Sequence, residues 1–323
     1  MMNELEFINL VKRSSSAVAP YGEGIGDDCA VMPATNGRAT VITTDMLAEG
    51  VHFRLSTAPA YAIGWKALAV NLSDVASMGV RPVASFMAIS RPKGVPDRWY
   101  EEFMAGYSDL SVKFGVPLMG GDTTASGSGL TICVTAIGEG EAAHIKRRSA
   151  ALPGDIVMTA GTLGDSAAGL SLAERGSSRY PHLLNAHLSP TPQVDEGQWL
   201  GSRNEVHAMT DISDGIAKDL MQICDMSGTG ARVELTHLPL SDNLLHYCTE
   251  ENIDPAAPAI CGGEDFKLLF TVNEAEADKL TADFTARFGY APSPIGRITS
   301  GCGIEWLRDG AAVNEKFAGY IHR

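Results

Sequence analysis

The chain of 323 residues lacks any apolar run approaching the ~20 residues of a membrane span. Its N-terminal stretch "MMNELEFINLVKRSSS" places acidic residues ahead of its apolar ones and has no apolar segment of signal-peptide length. These absences point to a cytoplasmic protein with no membrane partner. Basic residues are also scarce: 25 Lys and Arg stand against 39 Asp and Glu, a formal net charge of −14. Such a balance repels nucleic acid and anionic lipid, and the one dense basic cluster is Lys146, Arg147 and Arg148. The six cysteines (Cys29, Cys133, Cys224, Cys248, Cys261 and Cys302) include no Cys-x-x-Cys pair, so neither a zinc knuckle nor a disulfide framework is expected. Two nucleotide signatures are missing as well. There is no Gly-x-x-x-x-Gly-Lys-Ser/Thr loop and no His-Arg-Asp with Asp-Phe-Gly, which excludes a P-loop protein and a protein kinase.

What is present is an ordinary globular composition, 45% hydrophobic and 20% charged, long enough for two domains. A short amphipathic helix, "EFINLV", precedes a Ser/Pro/Gly stretch that reads as a mobile loop up to Gly26. "RATVITTDML" reads as a buried strand ending at Thr43, Thr44 and Asp45. "AYAIGWKALAVNLSDVASMG" is a helix stopped by Gly79 with Pro82 beyond. "VPLMGGDTT" gives a short strand and a glycine-backed acidic loop. From Gly138 to Pro153 the chain turns polar and turn-rich, which places a domain boundary there, with residues 1–140 before it and 141–323 after it. The second half offers the strand "DIVMTAG", the helix "DSAAGLSLAERG", a loop with three prolines, a strand, turn and helix in "MTDISDGIAKDLMQICDMSG", and a strand in "AICGGEDFKLLFTV". Strands and helices mix without a strict βαβ alternation, so the fold class is α+β rather than a doubly wound sheet.

Carboxylates recur where strands are expected to give way to turns: Asp27/Asp28, Asp45, Asp122, Asp211/Asp214 and Glu264/Asp265. A single turn aspartate is usually an Asx turn or a helix cap, and Ser213 and Asp214 could simply cap the helix that follows them. Two carboxylates ~4 Å apart repel by ~4 kcal/mol at an effective dielectric near 20, so the doubled acids call for compensation. Asp74 is the most informative, because it lies in an apolar helix near its C-terminal end, where a carboxylate is costly. Either a bound cation or a buried ion pair, with Arg81 the nearest partner in sequence, would account for it. No His or Cys travels with these acids, only hydroxyls (Thr43, Thr44, Ser73, Thr123, Ser213), and hard oxygen ligands suit Mg²⁺ or Mn²⁺. Several such ions beside glycine-rich turns point to phosphate binding and in-line phosphoryl transfer. "GTLGDSAAG" could offer amides to an anion or be an ordinary turn. His52, a few residues past the Thr-Thr-Asp segment, reads as structural or as facing substrate.

The motifs "GIGDDCAVM", "TTDMLAEGVHF", "KALAVNLSDVASMG", "GGDTT", "GDSAAGL", "DISDGIAKDL" and "GGEDFKLLFTV", in this order, resemble the thiamine-monophosphate kinases. These belong to the superfamily of aminoimidazole ribonucleotide synthetase, hydrogenase-maturation and selenophosphate-synthetase proteins. The resemblance runs from about Phe7 to Tyr320. It implies ATP-dependent phosphorylation of thiamine monophosphate to thiamine diphosphate by direct transfer of the γ-phosphoryl group. It also implies that Asp28, Thr43, Thr44, Asp45, Asp74, Asp122, Asp211 and Asp214 ligate a cluster of Mg²⁺ ions, and leaves open whether a monovalent cation is needed. Gly121, Asp122, Arg148 and Ser213 would contact ATP; His52 and Glu264 would face thiamine monophosphate, with Phe317 of "KFAGY" stacking on it. Asp27 would support the turn that presents Asp28. No general base stands out, since a phosphate oxygen is already anionic near neutral pH. The implied fold has two domains, an N-terminal α/β half pairing its sheet across a homodimer and a C-terminal α+β half closing the site. A sibling enzyme of the superfamily and a non-catalytic nucleotide sensor are the rival readings. Residues 14 to 26 lack the reactive Cys of selenophosphate synthetases, and the acidic positions are all intact.

Overall fold

The computed structural model describes residues 4–14, 22–315 and 317–320. Residues 15–21, the first part of the expected loop, lie outside the described residues. After α1 (Glu4–Ser14), the N-terminal half contains β1 (Ala30–Pro33), β2 (Arg38–Ala48), α2 (Ala60–Ser77), β3 (Arg81–Pro92), α3 (Asp97–Phe114), β4 (Leu118–Ser126) and β5 (Thr131–Glu141). The five strands form one sheet in the order β1-β2-β5-β3-β4, antiparallel except for the parallel pair β3 and β4. Inward side chains alternate with outward ones along β2 and β5, and helix α2 covers the inward face.

The second half contains β6 (Ile156–Thr159), α4 (Asp165–Glu174), α5 (Pro181–Leu188), α6 (Val194–Gly201), β7 (Val206–Asp211), α7 (Ile216–Ser227), β8 (Gly230–Glu234), α8 (Asp242–Glu251), α9 (Ala256–Cys261), β9 (Leu268–Val272), α10 (Ala277–Phe288), β10 (Ser293–Thr299), β11 (Gly303–Arg308) and β12 (Ala311–Ala312). Its strands form a second sheet in the order β12-β11-β8-β10-β6-β9-β7. The α+β organisation expected from the sequence is present, and among the described residues no helix is long and apolar enough to cross a membrane.

Helix α2 joins the halves. It is buried on almost every side, lying against β2 and β5 in one half and β7 and α6 in the other. A helix apolar nearly all round has to be enclosed, and the apolar cluster around Leu68, Leu72 and Val75 continues into the second half through Met209, Phe270 and Phe284. Its close approach to α3 depends on two glycines. A Cβ at Gly64 would stand 1.8 Å from the Phe103 carbonyl oxygen, and one at Gly106 would stand 1.9 Å from that of Tyr61.

Four local expectations change. The Thr-Thr-Asp segment is the middle of β2, which continues to Ala48 through pairing with β5. "GGDTT" is part of β4 rather than a loop, and Gly121 permits that pairing because a Cβ there would lie 1.7 Å from the Met87 carbonyl oxygen. The segment with three prolines carries α5, because Pro181 at a first helical position pre-sets the helix instead of breaking it. "AICGGEDFKLLFTV" ends α9, passes through a loop and only then enters β9. The residues of that loop include Glu264 and Phe266 in left-handed backbone, which a continuous strand cannot contain.

Candidate functional site

Asp28 just before β1, Asp74 on α2 and Asp211 at the end of β7 come together, with a carboxylate oxygen of each within 4.8 Å of the others. Each is held by a hydroxyl. Thr43 Oγ1 donates to Asp74 Oδ2 at 2.5 Å, Ser73 Oγ to Asp211 Oδ2 at 2.5 Å, and Ser77 Oγ to Asp28 Oδ2 at 2.7 Å. Burial, and after it the neighbouring carboxylates, push the Asp74 carboxyl well above the usual range and Asp211 up to about 8. The same causes raise Asp45, in its case through Asp28 and Asp214, to about 6. At this spacing each pair of unit charges repels by about 3 to 4 kcal/mol at an effective dielectric near 20.

One cation answers part of that charge. The Arg148 guanidinium pairs with Asp28, donates from Nε to Thr210 Oγ1 at 3.1 Å and from Nη1 to the Gly26 carbonyl at 3.1 Å. Its backbone N–H donates to Asp27 Oδ1 at 2.7 Å, so Asp27 fastens the turn that presents Asp28. The other members of the basic cluster are engaged elsewhere. Lys146 Nζ donates to the carbonyls of Arg203 and Val206, and Arg147 pairs with Glu23. Once ionised, three acids exceed the charge of one guanidinium, and an all-oxygen donor set of carboxylates and hydroxyls fits a hard divalent cation that would replace their protons. Asp74 makes no ion pair with Arg81 among the described residues; its neighbours are Thr43 and the other acids.

Of the remaining candidates, Asp45 stays within reach of the trio's charges and the others divide. Asp45 shares the inward face of β2 with Thr43, and its backbone N–H donates to Asn71 Oδ1 at 3.1 Å. Thr44 points the other way, as strand alternation requires, and meets Thr135 at 2.8 Å on the outward face. Asp122 sits on the edge strand β4, exposed, accepting the N–H of Thr123 at 2.9 Å. Three strand spacings, about 14 Å, lie between β2 and β4, so the structure does not bring Asp122 to the other acids. Gly121 shares its strand. Asp214 does not cap α7, whose N-cap is Gly215; its carboxylate pairs with Lys218 at 2.7 Å. The Ser213 carbonyl accepts the Glu264 N–H at 2.7 Å, which ties the start of α7 to the loop before β9.

His52 Nδ1 accepts the Ala48 N–H at 3.0 Å in the turn that follows β2. Phe317 packs edge to face on Trp306 at 5.2 Å, and Tyr320 N–H donates to the Asp214 carbonyl at 3.0 Å, so the C-terminal segment reaches the start of α7. Glu264 pairs with Lys66 at 2.7 Å and with His187 Nδ1 at 3.2 Å. Burial alone would raise its carboxyl, but the Lys66 ammonium and His187 outweigh it and hold the group down to about 2. Asp265 is bound by the protein itself. It accepts the N–H groups of Gly164 and Ser166 at 2.7 and 3.2 Å, so the amides of "GTLGDSAAG" are taken by an internal carboxylate.

Sequence reasoning missed Lys66, Asn71, Ser77, His187 and Asp219, the last buried and accepting the Asp214 N–H at 3.1 Å. A signal existed for some of them. Lys66, Ser73 and Ser77 are seven and four residues apart in a largely apolar helix, which places them on one face.

Comparison with known proteins places the chain. Residues 26–139 match the AIR synthase related protein, N-terminal domain, and residues 153–306 match the AIR synthase related protein, C-terminal domain. The thiamine-monophosphate kinase of Salmonella typhimurium is 36% identical over 307 residues, covering 93% of this chain and 91% of its own. That of Bacillus subtilis is 34% identical over 297 residues, covering 88% of each. Among solved structures, AaThiL complexed with AMPPCP and TMP superposes with a TM-score of 0.85 at 32% identity, covering 100% of this chain and 97% of that one.

Proposed function

This chain belongs to the thiamine-monophosphate kinases of the AIR synthase related family, and from that premise we propose how its residues divide the work of the reaction. The enzyme phosphorylates thiamine monophosphate with ATP, giving thiamine diphosphate and ADP. The observation that carries the site assignment is the trio Asp28, Asp74 and Asp211, drawn from both halves, of which Arg148 pairs with Asp28 alone. Magnesium ions held there would neutralise the triphosphate and align it with the acceptor phosphate. Asp45 and Asp214 flank the trio, and Thr43, Ser73 and Ser77 orient its carboxylates by donating to them. Arg148 would place positive charge near the transferred group, with Ser213 beside the nucleotide. The acceptor oxygen is anionic without help from a base, so positioning and charge neutralisation supply the rate through direct in-line transfer. His52, Glu264 and Phe317 would line the thiamine end, and residues 141–323 would close on the nucleotide and metal half, residues 1–140.

The reading includes a cytoplasmic homodimer. Helices cover the inward face of the N-terminal sheet, while its outward and edge positions carry exposed Met46, Phe86 and Met119. Pairing that face with a second copy would bury them. Because Asp122 lies on the exposed edge strand β4, three strand spacings from Asp45, the reading assigns Gly121 and Asp122 to the site of the second copy. Activity is tested by following ADP release with thiamine monophosphate, ATP and Mg²⁺. No ADP above the thiamine-free background would overturn the assignment.

A further inference from the structure

Lys66 and Glu264 come from opposite halves of the molecule and meet in the interior. The Lys66 side chain is 5% exposed and its ammonium lies 2.7 Å from a Glu264 oxygen. A buried lysine without a partner carries a large desolvation penalty, so the pair is a specific arrangement and not a surface accident. Glu264 is also in left-handed backbone, φ 65°, which a non-glycine residue keeps only where its surroundings hold it. Three contacts do so: the Lys66 ammonium, His187 Nδ1 at 3.2 Å, and its own N–H bond to the Ser213 carbonyl at 2.7 Å.

The position of Lys66 along α2 gives the pair its meaning. Ser73 and Asp74, which belong to the carboxylate cluster, follow Lys66 by seven and eight residues, two helical turns or about 11 Å along the axis. One helix face therefore presents the phosphate end of the site and, farther along, the anion that would answer a cationic ring. That separation is on the scale of thiamine monophosphate from its phosphate to its rings. We infer that Lys66 is a positioning residue for thiamine monophosphate: through its ion pair it fixes the Glu264 carboxylate at the ring end of the substrate, at a set distance from the metal end. The inference rests on the reading that Glu264 faces the substrate. With the ammonium removed, the carboxylate loses its counter-charge and its anchor to α2, and the ring cation loses an oriented anion. Stability alone does not require this arrangement, since an apolar pair of similar volume would serve as well.

The test compares KM for thiamine monophosphate and for ATP in Lys66→Met, Lys66→Arg, Glu264→Gln and the Lys66→Met/Glu264→Gln double variant. We expect Lys66→Met to raise KM for thiamine monophosphate by about tenfold or more while KM for ATP stays within about twofold, with partial recovery in Lys66→Arg. Lys66→Arg, which keeps a cation on Glu264 but moves it, decides the matter should Lys66→Met fail to fold, since unchanged KM for thiamine monophosphate there would overturn the positioning role; the double variant should match Glu264→Gln alone. A further rise in the double variant, or an equal rise in both KM values, overturns the positioning role. Normal KM for thiamine monophosphate in Glu264→Gln overturns the substrate-facing reading. A raised value there with no change in Lys66→Met overturns only the inference about Lys66.

Discussion

Replacing Asp211 with Asn should stabilise the metal-free protein at neutral and alkaline pH and remove much of its pH dependence. Burial, Asp28 and Asp45 raise the Asp211 carboxyl from 3.8 to about 8, against the favourable contacts of Ser73 and Arg148. Between those values the folded state keeps a proton that the unfolded state has released, so this group's contribution is complete below pH 4 and lost as pH rises toward 8. At pH 7 the loss is about 4 kcal/mol relative to acid, from about three pH units at 1.36 kcal/mol each. For a chain of this size that corresponds to a fall in Tm of roughly 5 to 10 °C. Asparagine keeps the volume and can still accept from Ser73 but has no proton to lose. Thermal melts in EDTA at pH 5, 6, 7 and 8 should therefore show wild type falling and the variant falling less. Added Mg²⁺ should restore the wild type and leave the variant nearly unchanged. Because Asp211 is itself one of the charges that raises Asp74, the difference between the two curves reports Asp211 together with its coupling to Asp74. Parallel curves across this range would refute the claim that desolvation and neighbouring acids dominate the site.

Mixing the inactive Asp122→Asn and Asp211→Asn homodimers under exchange conditions should restore up to about a quarter of wild-type activity, since half of the dimers are mixed and each has one intact site. No recovery despite proven subunit exchange would place Asp122 in its own chain's site. Arg148→Lys should lower kcat at least about tenfold with circular dichroism unchanged, because an ammonium cannot span Asp28, Thr210 and Gly26 as the planar guanidinium does. Activity within twofold of wild type would remove Arg148 from the machinery. Gly64→Ala should cost about 3 kcal/mol in urea unfolding, as its Cβ would force α2 away from α3; an unchanged midpoint would contradict that close contact.

Much of the site was legible because its elements announce themselves locally. A carboxylate inside the apolar run of α2 is expensive wherever the helix packs, so Asp74 could be singled out before any contact was known. The doubled acids at 27 and 28 posed the same problem, and the structure puts Asp27 on the Arg148 backbone N–H and Asp28 beside Asp74 and Asp211. Strand length was harder to read. "TTD" resembles a turn until β5 pairs with it, and only the continued ladder decides that Thr43 and Asp45 face inward while Thr44 faces outward. Asp122 carries the same Gly-Gly-acid signature whether it lies in a loop or on an edge strand, and the pairing of β4 with β3 decided which.

From the chain alone came the class of fold and the recurrence of carboxylates and hydroxyls without His or Cys, because composition, spacing and helix periodicity are properties of neighbouring residues, while the family came from the resemblance of the ordered motifs to known sequences. Which charges meet was decided by the folded structure. Lys66 reaches Glu264 across 198 positions, and Arg148 reaches Asp28 across 120. Ion pairs of that kind depend on how two sheets pack around a shared helix, and no local pattern in the sequence carries that information.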